Sequence, residues 1–327
     1  MENLLVQGDF DVAHQRAKAA SAQLSQQSIE WAWKFKLLDA RALLHEGKSD
    51  EVLAMLSKPL PSHLNNSDIA LERTVLRAWA YHQQGRRDET TEALQQAELL
   101  SQNDQPSEPP SSVRNDARNA WGQLYLEQAD LVRADEIFHR NLEIARKQND
   151  LYQQAATMQN LNVVALRREH FDEALDWSEA AVRVAKSINA KSILEGSHGN
   201  IAWNDYKLGN FEEALDGFRT AEGEARTLGE VSDRMEWLND IGLSLYRLGH
   251  LQEAETYYKS ALQLAESFPN VERAIESHIA LAELLLQLDN LDASEQHADK
   301  ALALAHSSGT ASDEMDAQFL KSLIAEH

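Results

Sequence analysis

The sequence predicts an all-α fold, a right-handed α-solenoid of antiparallel helix pairs, on three observations. Similar segments return every 40 residues, small residues recur in register within them, and no proline lies between Pro110 and Pro269. The sustained two-residue alternation of half-buried strands is missing from the sequence.

The period comes first, because a missed repeat miscalls the whole fold. Four segments share a turn, an aromatic residue or Leu, and then small residues at fixed offsets. They are Glu169-His170-Phe171-Asp172-Glu173-Ala174, Gly209-Asn210-Phe211-Glu212-Glu213-Ala214, Gly249-His250-Leu251-Gln252-Glu253-Ala254 and Asp289-Asn290-Leu291-Asp292-Ala293-Ser294. Their first residues are 40 apart, and a fifth segment, Ala129-Asp130-Leu131-Val132-Arg133-Ala134, sits 40 before the first. Ala145, Ala185, Ala225, Ala265 and Ala305 fill one column in all five units. Chance would fill such a column with odds on the order of one in ten thousand. A second column reads Ala181, Ala221, Ala261 and Ala301, with Asn141 as the exception.

Each unit reads as two helices. Small residues mark their crossings, where close backbone approach leaves room for little beyond a Cβ. Phe171, Phe211, Leu251 and Leu291 start the second helix and plug the gap to its partner. The turn before them favours Gly or a short polar residue that tolerates positive φ, as at Gly209-Asn210 and Gly249-His250.

Toward the N-terminus the pattern is worn. Gly8-Asp9-Phe10 with Ala13, Ala17 and Ala20 matches well; Gly47 with Val52 and Leu56, and Gly85 with Thr90, Leu94 and Ala97, match less well. The expected organisation is degenerate units over 1–101, a Pro/Ser-rich loop or linker over 102–112, regular 40-residue units over 113–311 and a capping helix over 312–327.

These residues resemble the tetratricopeptide repeat family. Its pattern is matched position by position by Ile201-Ala202, Gly209, Phe211, Ala214, Phe218 and Ala221, and nearly as well by Ile241-Gly242, Gly249, Leu251, Ala254, Tyr258 and Ala261. The family's ordinary unit is about 34 residues, so a unit of 40 adds nearly one turn to each helix. Longer units of this kind look like those of Leu-Gly-Asn-repeat polarity adaptors and of the repeat regions that precede bacterial CHAT protease domains. The run from Trp31 to Gly47 is more similar to the latter. A CHAT protease needs a His–Cys pair, and this chain has no Cys. The resemblance therefore implies either the regulatory part of a larger protein or a stand-alone array.

Composition narrows the partners. With 53 acidic and 31 basic residues the formal net charge is −22, which repels phosphate backbones and anionic lipid. The expected partner is a protein or peptide of partly basic character, not nucleic acid or membrane, although acidity that serves only solubility also accounts for the count. The absence of Cys excludes disulfides, thiolate metal sites and a cysteine nucleophile. The N-terminus lacks the basic flank and apolar stretch of a secretory signal, and a cytoplasmic protein is expected.

In such arrays the first helices line the concave wall. The residues expected to face inward and hold a peptide are Trp79, Gln159, Asn160, Arg167, Asn200, Trp203, Tyr206, Lys207, Asn239, Tyr246 and Arg247. Aromatic rings supply rigid contact area, amides pair with peptide backbone and cations meet carboxylates. Asn160 and Asn200 occupy a slot where the family often carries a ligand-contacting Asn; bonding to neighbouring turns is the other reading. Gly196 and Gly199 are expected to leave a shallow recess opposite Trp203.

The resemblance also argues against one ligand. Repeats that grip a chaperone's C-terminal carboxylate use Lys and Arg where this chain has Glu72, Asp116, Ala156, Gly196, Glu236 and Glu276. No catalytic residue, metal or cofactor is expected. Glu136/His139 and Glu195/His198 each place Glu and His one turn apart, but in non-equivalent positions with no second pair converging. The alternative function is a superhelix that senses a small molecule or a signal peptide.

Overall fold

The computed structural model describes residues 1–102, 112–268 and 270–326. Among them there is no strand. The helices run in tandem as pairs: α1 (Glu2–Val6) with α2 (Phe10–Leu24), α3 (Ile29–His45) with α4 (Ser49–Leu56), α5 (Asp68–Gln83) with α6 (Arg87–Gln102), and α7 (Ser112–Glu127) with α8 (Leu131–Gln148). The pairing continues through α9 (Leu151–Arg167) with α10 (Phe171–Ile188), α11 (Lys191–Leu208) with α12 (Phe211–Leu228), α13 (Val231–Arg247) with α14 (Leu251–Ser267), and α15 (Val271–Gln287) with α16 (Leu291–Ser308). A final helix, α17 (Ala311–Glu326), packs on α16 and buries Ala317, Leu320 and Ile324. Residues 103–111, most of the Pro/Ser-rich stretch, lie outside the described residues.

The alanine columns are the helix crossings. Ala145, Ala185, Ala225 and Ala305 are wholly buried, and Ala265 nearly so; Ala181, Ala221, Ala261 and Ala301 are wholly buried as well. Asn141, the exception, is also buried and has a full set of partners. It accepts from Arg118 Nε at 2.9 Å and donates to Asn119 Oδ1 at 2.7 Å. A buried amide is tolerated there because its hydrogen bonds are met.

Size is traded between facing positions. Phe138 lies over Gly122, Phe218 packs near Ala202, and Tyr258 lies over Gly242, where an added Cβ would stand 2.5 Å from the ring. A large ring on the second helix thus takes the space that a small residue on the first leaves open.

Positive φ recurs at the turns: Gly209 (87°), Gly249 (81°) and Asp289 (60°), but also Ala129 (56°) and Glu169 (60°). The last two hold a left-handed conformation without glycine's freedom, a local strain of about 1–2 kcal/mol that packing on both sides offsets.

The solenoid coils far enough to meet itself. The turns at Gly8, Gly47 and Gly85 stand against Leu228, against Val231 and Phe268, and against Val271 and Ser308. Val6 packs with Ala155, Ala185 and Ile193, while Phe10 joins Leu228 in another cluster. Arg87 Nη1 donates to Gly309 O at 3.0 Å. The first three units therefore meet later units along a seam, with the concave wall on the inside of the coil.

Candidate functional site

The first helices α3, α5, α7, α9, α11, α13 and α15 face the coil axis, and their side chains are strongly acidic near the seam. Arg41 is shared there between Glu72 (2.7 Å) and Asp116 (2.8 Å), linking three successive units. These three side chains keep 17–31% of their surface exposed, so the axis is wet but confined. Burial would discharge the guanidinium, but Asp116 and Glu72 outweigh it and hold Arg41 charged. Tyr152 stands at the same level; burial pushes its hydroxyl up to about 12, and Asp116 and Glu230 add to the rise.

Below this level lies a buried carboxyl cluster. Glu195 is completely buried on α11 and accepts a hydrogen bond from Trp237 Nε1. Burial first, and the Asp233 carboxylate second, raise Glu195 far above the carboxylate range. Asp233 is raised as well, by burial and by Glu230. Two adjoining carboxyls cannot both ionise in so dry a place, so Glu195 keeps the proton and shares it with Asp233. Further along, Arg273 bridges Glu236 and Glu276, and Asp240 is held well up by burial and by those two carboxylates.

The structure places the sequence-predicted residues in three groups. Trp203, Tyr206, Lys207, Tyr246 and Arg247 form one patch at the C-terminal ends of α11 and α13. Trp203 Nε1 donates to Asp240 at 2.9 Å, and its ring meets Tyr206 edge-on at 5.2 Å. Lys207 Nζ lies 5.7 Å from the Trp203 ring, and the Arg247 guanidinium sits 4.8 Å from Phe211 and 6.0 Å from Tyr206. Tyr246 packs, half-buried, on the same cluster.

The amides make a second group, on the middle of the wall, and most bond to neighbouring helices. Gln159 Nε2 donates to Ile193 O at 3.0 Å, Asn160 accepts from Gln123 at 2.7 Å, and Asn239 accepts from Ser277 at 3.0 Å. Among the described residues Asn239 Nδ2 is buried without a partner, and Asn200 is half-buried. The third group is at the edges. Trp79 is wedged among Leu71, Val75 and Leu94, and Arg167 donates to Leu126 O.

One expectation is corrected. The recess predicted at Gly199 is filled by Trp237, whose ring would lie 2.3 Å from a Cβ added there, and Gln159 fills the space at Gly196. Glycine here admits a neighbour's ring and not a ligand. Glu195 and His198 also part company: the carboxyl meets Trp237, whereas His198 Nδ1 pairs with Glu224 Oε2 at 2.8 Å. Among the described residues no three His, Asp or Glu side chains converge to hold a metal ion, and no helix is long and apolar enough to cross a membrane.

Sequence reasoning missed Trp237, Glu195 and Asp233 as a unit, and the pair His45–Glu230 across the seam. The only available signal was a Gly at a wall position beside a Trp one unit later.

Comparison with known proteins agrees with this architecture. Residues 233–307 and, separately, 72–98 match models of the tetratricopeptide repeat. No curated protein sequence matches the chain. Among solved structures, the Rap protein complexed with competence and sporulation factor is similar at a TM-score of 0.66 and 16% identity, over 88% of this chain and 80% of that one. NprR in complex with its cognate peptide NprX is similar at a TM-score of 0.58 and 18% identity, over 85% and 77%. Aspartyl phosphate phosphatase F from Bacillus subtilis is similar at 0.55 and 16%, over 98% and 76%. At these identities the likeness is one of fold. The chain is a right-handed α-solenoid with a stride of 40 residues, two segments of which match the tetratricopeptide repeat.

Proposed function

We propose that this solenoid is a non-catalytic sensor or scaffold that captures a peptide or protein segment of partly basic character along its concave wall. The observation that carries the reading is the patch of Trp203, Tyr206, Lys207, Tyr246 and Arg247. These rings and cations are only partly covered, and they border the carboxylates Asp240 and Glu283. Rigid aromatic area beside hydrogen-bonding charge is the usual make-up of a binding hot spot. The net charge of −22 favours a cationic segment. The structural likeness to NprR, which was solved with its cognate peptide, supports a peptide as the ligand class. A place as the regulatory part of a larger CHAT-type protein rests on the sequence resemblance around Trp31 alone.

Each unit touches mainly its neighbours, so such a coil is soft along its length and a ligand can shift its pitch. Replacing Trp203, Tyr206 and Arg247 together with Ala is expected to abolish capture of the partner in pull-downs while helicity persists. Unchanged capture by that variant refutes the reading. A second reading, a small-molecule sensor, is favoured by a cavity on the seam between early and late units.

A further inference from the structure

A cavity of about 230 Å³ lies on the seam between early and late units. One wall is the α5–α6 turn with Arg87, another is α15 and the start of α17 with Glu272 and Asp313, and Arg167 of α9 closes the back. A water molecule needs only about 10–15 Å³ measured in this way, so the space accepts a small organic molecule. Its charges are set apart in an unusual manner. Arg87 and Arg167 each donate to a backbone carbonyl, Gly309 O and Leu126 O, and neither has a carboxylate within ion-pair distance among the described residues. In a chain with 53 acidic residues to 31 basic ones, two arginines lining one cavity without a carboxylate partner among the described residues are out of keeping with the composition.

Glu272 on the facing wall likewise makes no hydrogen bond or ion pair among the described residues. Burial alone would raise it, but the combined fields of Arg273, His82, Arg87 and Arg167 hold its carboxyl below the ordinary value. The opposite charges thus feel one another across a gap too wide for direct contact. A molecule carrying both charges a few ångströms apart would close that gap on both sides.

We propose that this cavity binds a free α-amino acid or a dipeptide, its carboxylate on Arg87 and Arg167 and its ammonium on Glu272 and Asp313. The walls come from units one coil turn apart, so occupancy ties the seam shut and couples this small ligand to access along the concave wall. The inference goes beyond the peptide-binding reading and fails separately from it, because Trp203, Tyr206 and Arg247 take no part in the cavity.

The test is isothermal titration of the intact chain with the twenty free α-amino acids and glycylglycine, followed by the N-acetyl and amide derivatives of the tightest binder. The expected result is saturable binding at one site, weakened about ten-fold or more when either ligand charge is blocked. Glu272→Gln removes a carboxylate that has no protein partner, so the fold stands while binding weakens by a similar factor; Asp313→Asn gives a second, independent measure. Three results overturn the proposal: no saturable binding below about 10 mM, blocked derivatives that bind as well as the free form, or undiminished binding by both variants. Partner capture through the Trp203 patch is expected to survive Glu272→Gln.

Discussion

His45 Nδ1 and Glu230 Oε2 meet at 2.8 Å although 185 residues separate them, and this contact joins the second unit to the start of the seventh. The His45 ring is also stacked on Phe10, with centroids 4.3 Å apart. One side chain thus ties the first helix pair to the second and both to the far end of the coil.

The pair makes closure depend on pH. Burial would lower the imidazole, but the charge and hydrogen bond of Glu230 outweigh it, and His45 is raised above its ordinary value. A raised histidine contributes stability that is complete below about pH 6.5. It loses that contribution as pH climbs through its folded value. Glu195 and Asp233, also raised, have the same sign for the fold as a whole: it is favoured while they hold protons and opposed as they ionise. Small-angle scattering and thermal melts from pH 5.5 to about 8.5 are expected to show a coil that expands and melts earlier as pH rises. His45→Gln is expected to flatten that dependence; an equal slope in the variant contradicts the assignment.

Glu195 is expected to tolerate amidation. It already carries a proton at neutral pH, so Glu195→Gln keeps the shape and the acceptor for Trp237, and stability should change by less than about 1 kcal/mol. Trp237→Ala empties a nearly full site and should cost about 3–5 kcal/mol in urea unfolding.

Gly199→Ala tests what the glycine is for. The added methyl meets the Trp237 ring at 2.3 Å, and overpacking of this kind costs about 1–3 kcal/mol. The indole fluorescence is expected to shift with the loss. A neutral substitution would show that the ring moves aside freely.

Gly122 and Phe138 should be coupled. A Cβ at Gly122 falls 2.4 Å from the Phe138 ring, so Gly122→Ala alone destabilises by overpacking. Phe138→Leu alone leaves a void, and the double variant should recover part of both losses. An interaction energy of about 0.5–3 kcal/mol in the double-mutant cycle is expected. Simple additivity would deny the exchange of size between the two helices.

The seam itself should respond to Leu228→Ala, which removes the side chain that meets the first turn at Gly8 and the Phe10 cluster. A loss of about 2–4 kcal/mol is expected to appear as faster amide exchange in α1 and α2 and not in α12 to α14.

By itself the sequence determined the helix pairs and their stride. The alanine columns, the left-handed turns and the ring-against-small exchange are local or nearest-neighbour matters, and a repeat writes them into the chain at fixed offsets. It also placed Trp203, Tyr206 and Arg247 on one wall, because helical period alone brings them together. What only the tertiary structure decided is how far the coil winds. That depends on small rotations added over many units, which no single position records, and they bring Gly8 to Leu228 and His45 to Glu230. The same winding set Arg87 and Arg167 around one cavity with Glu272.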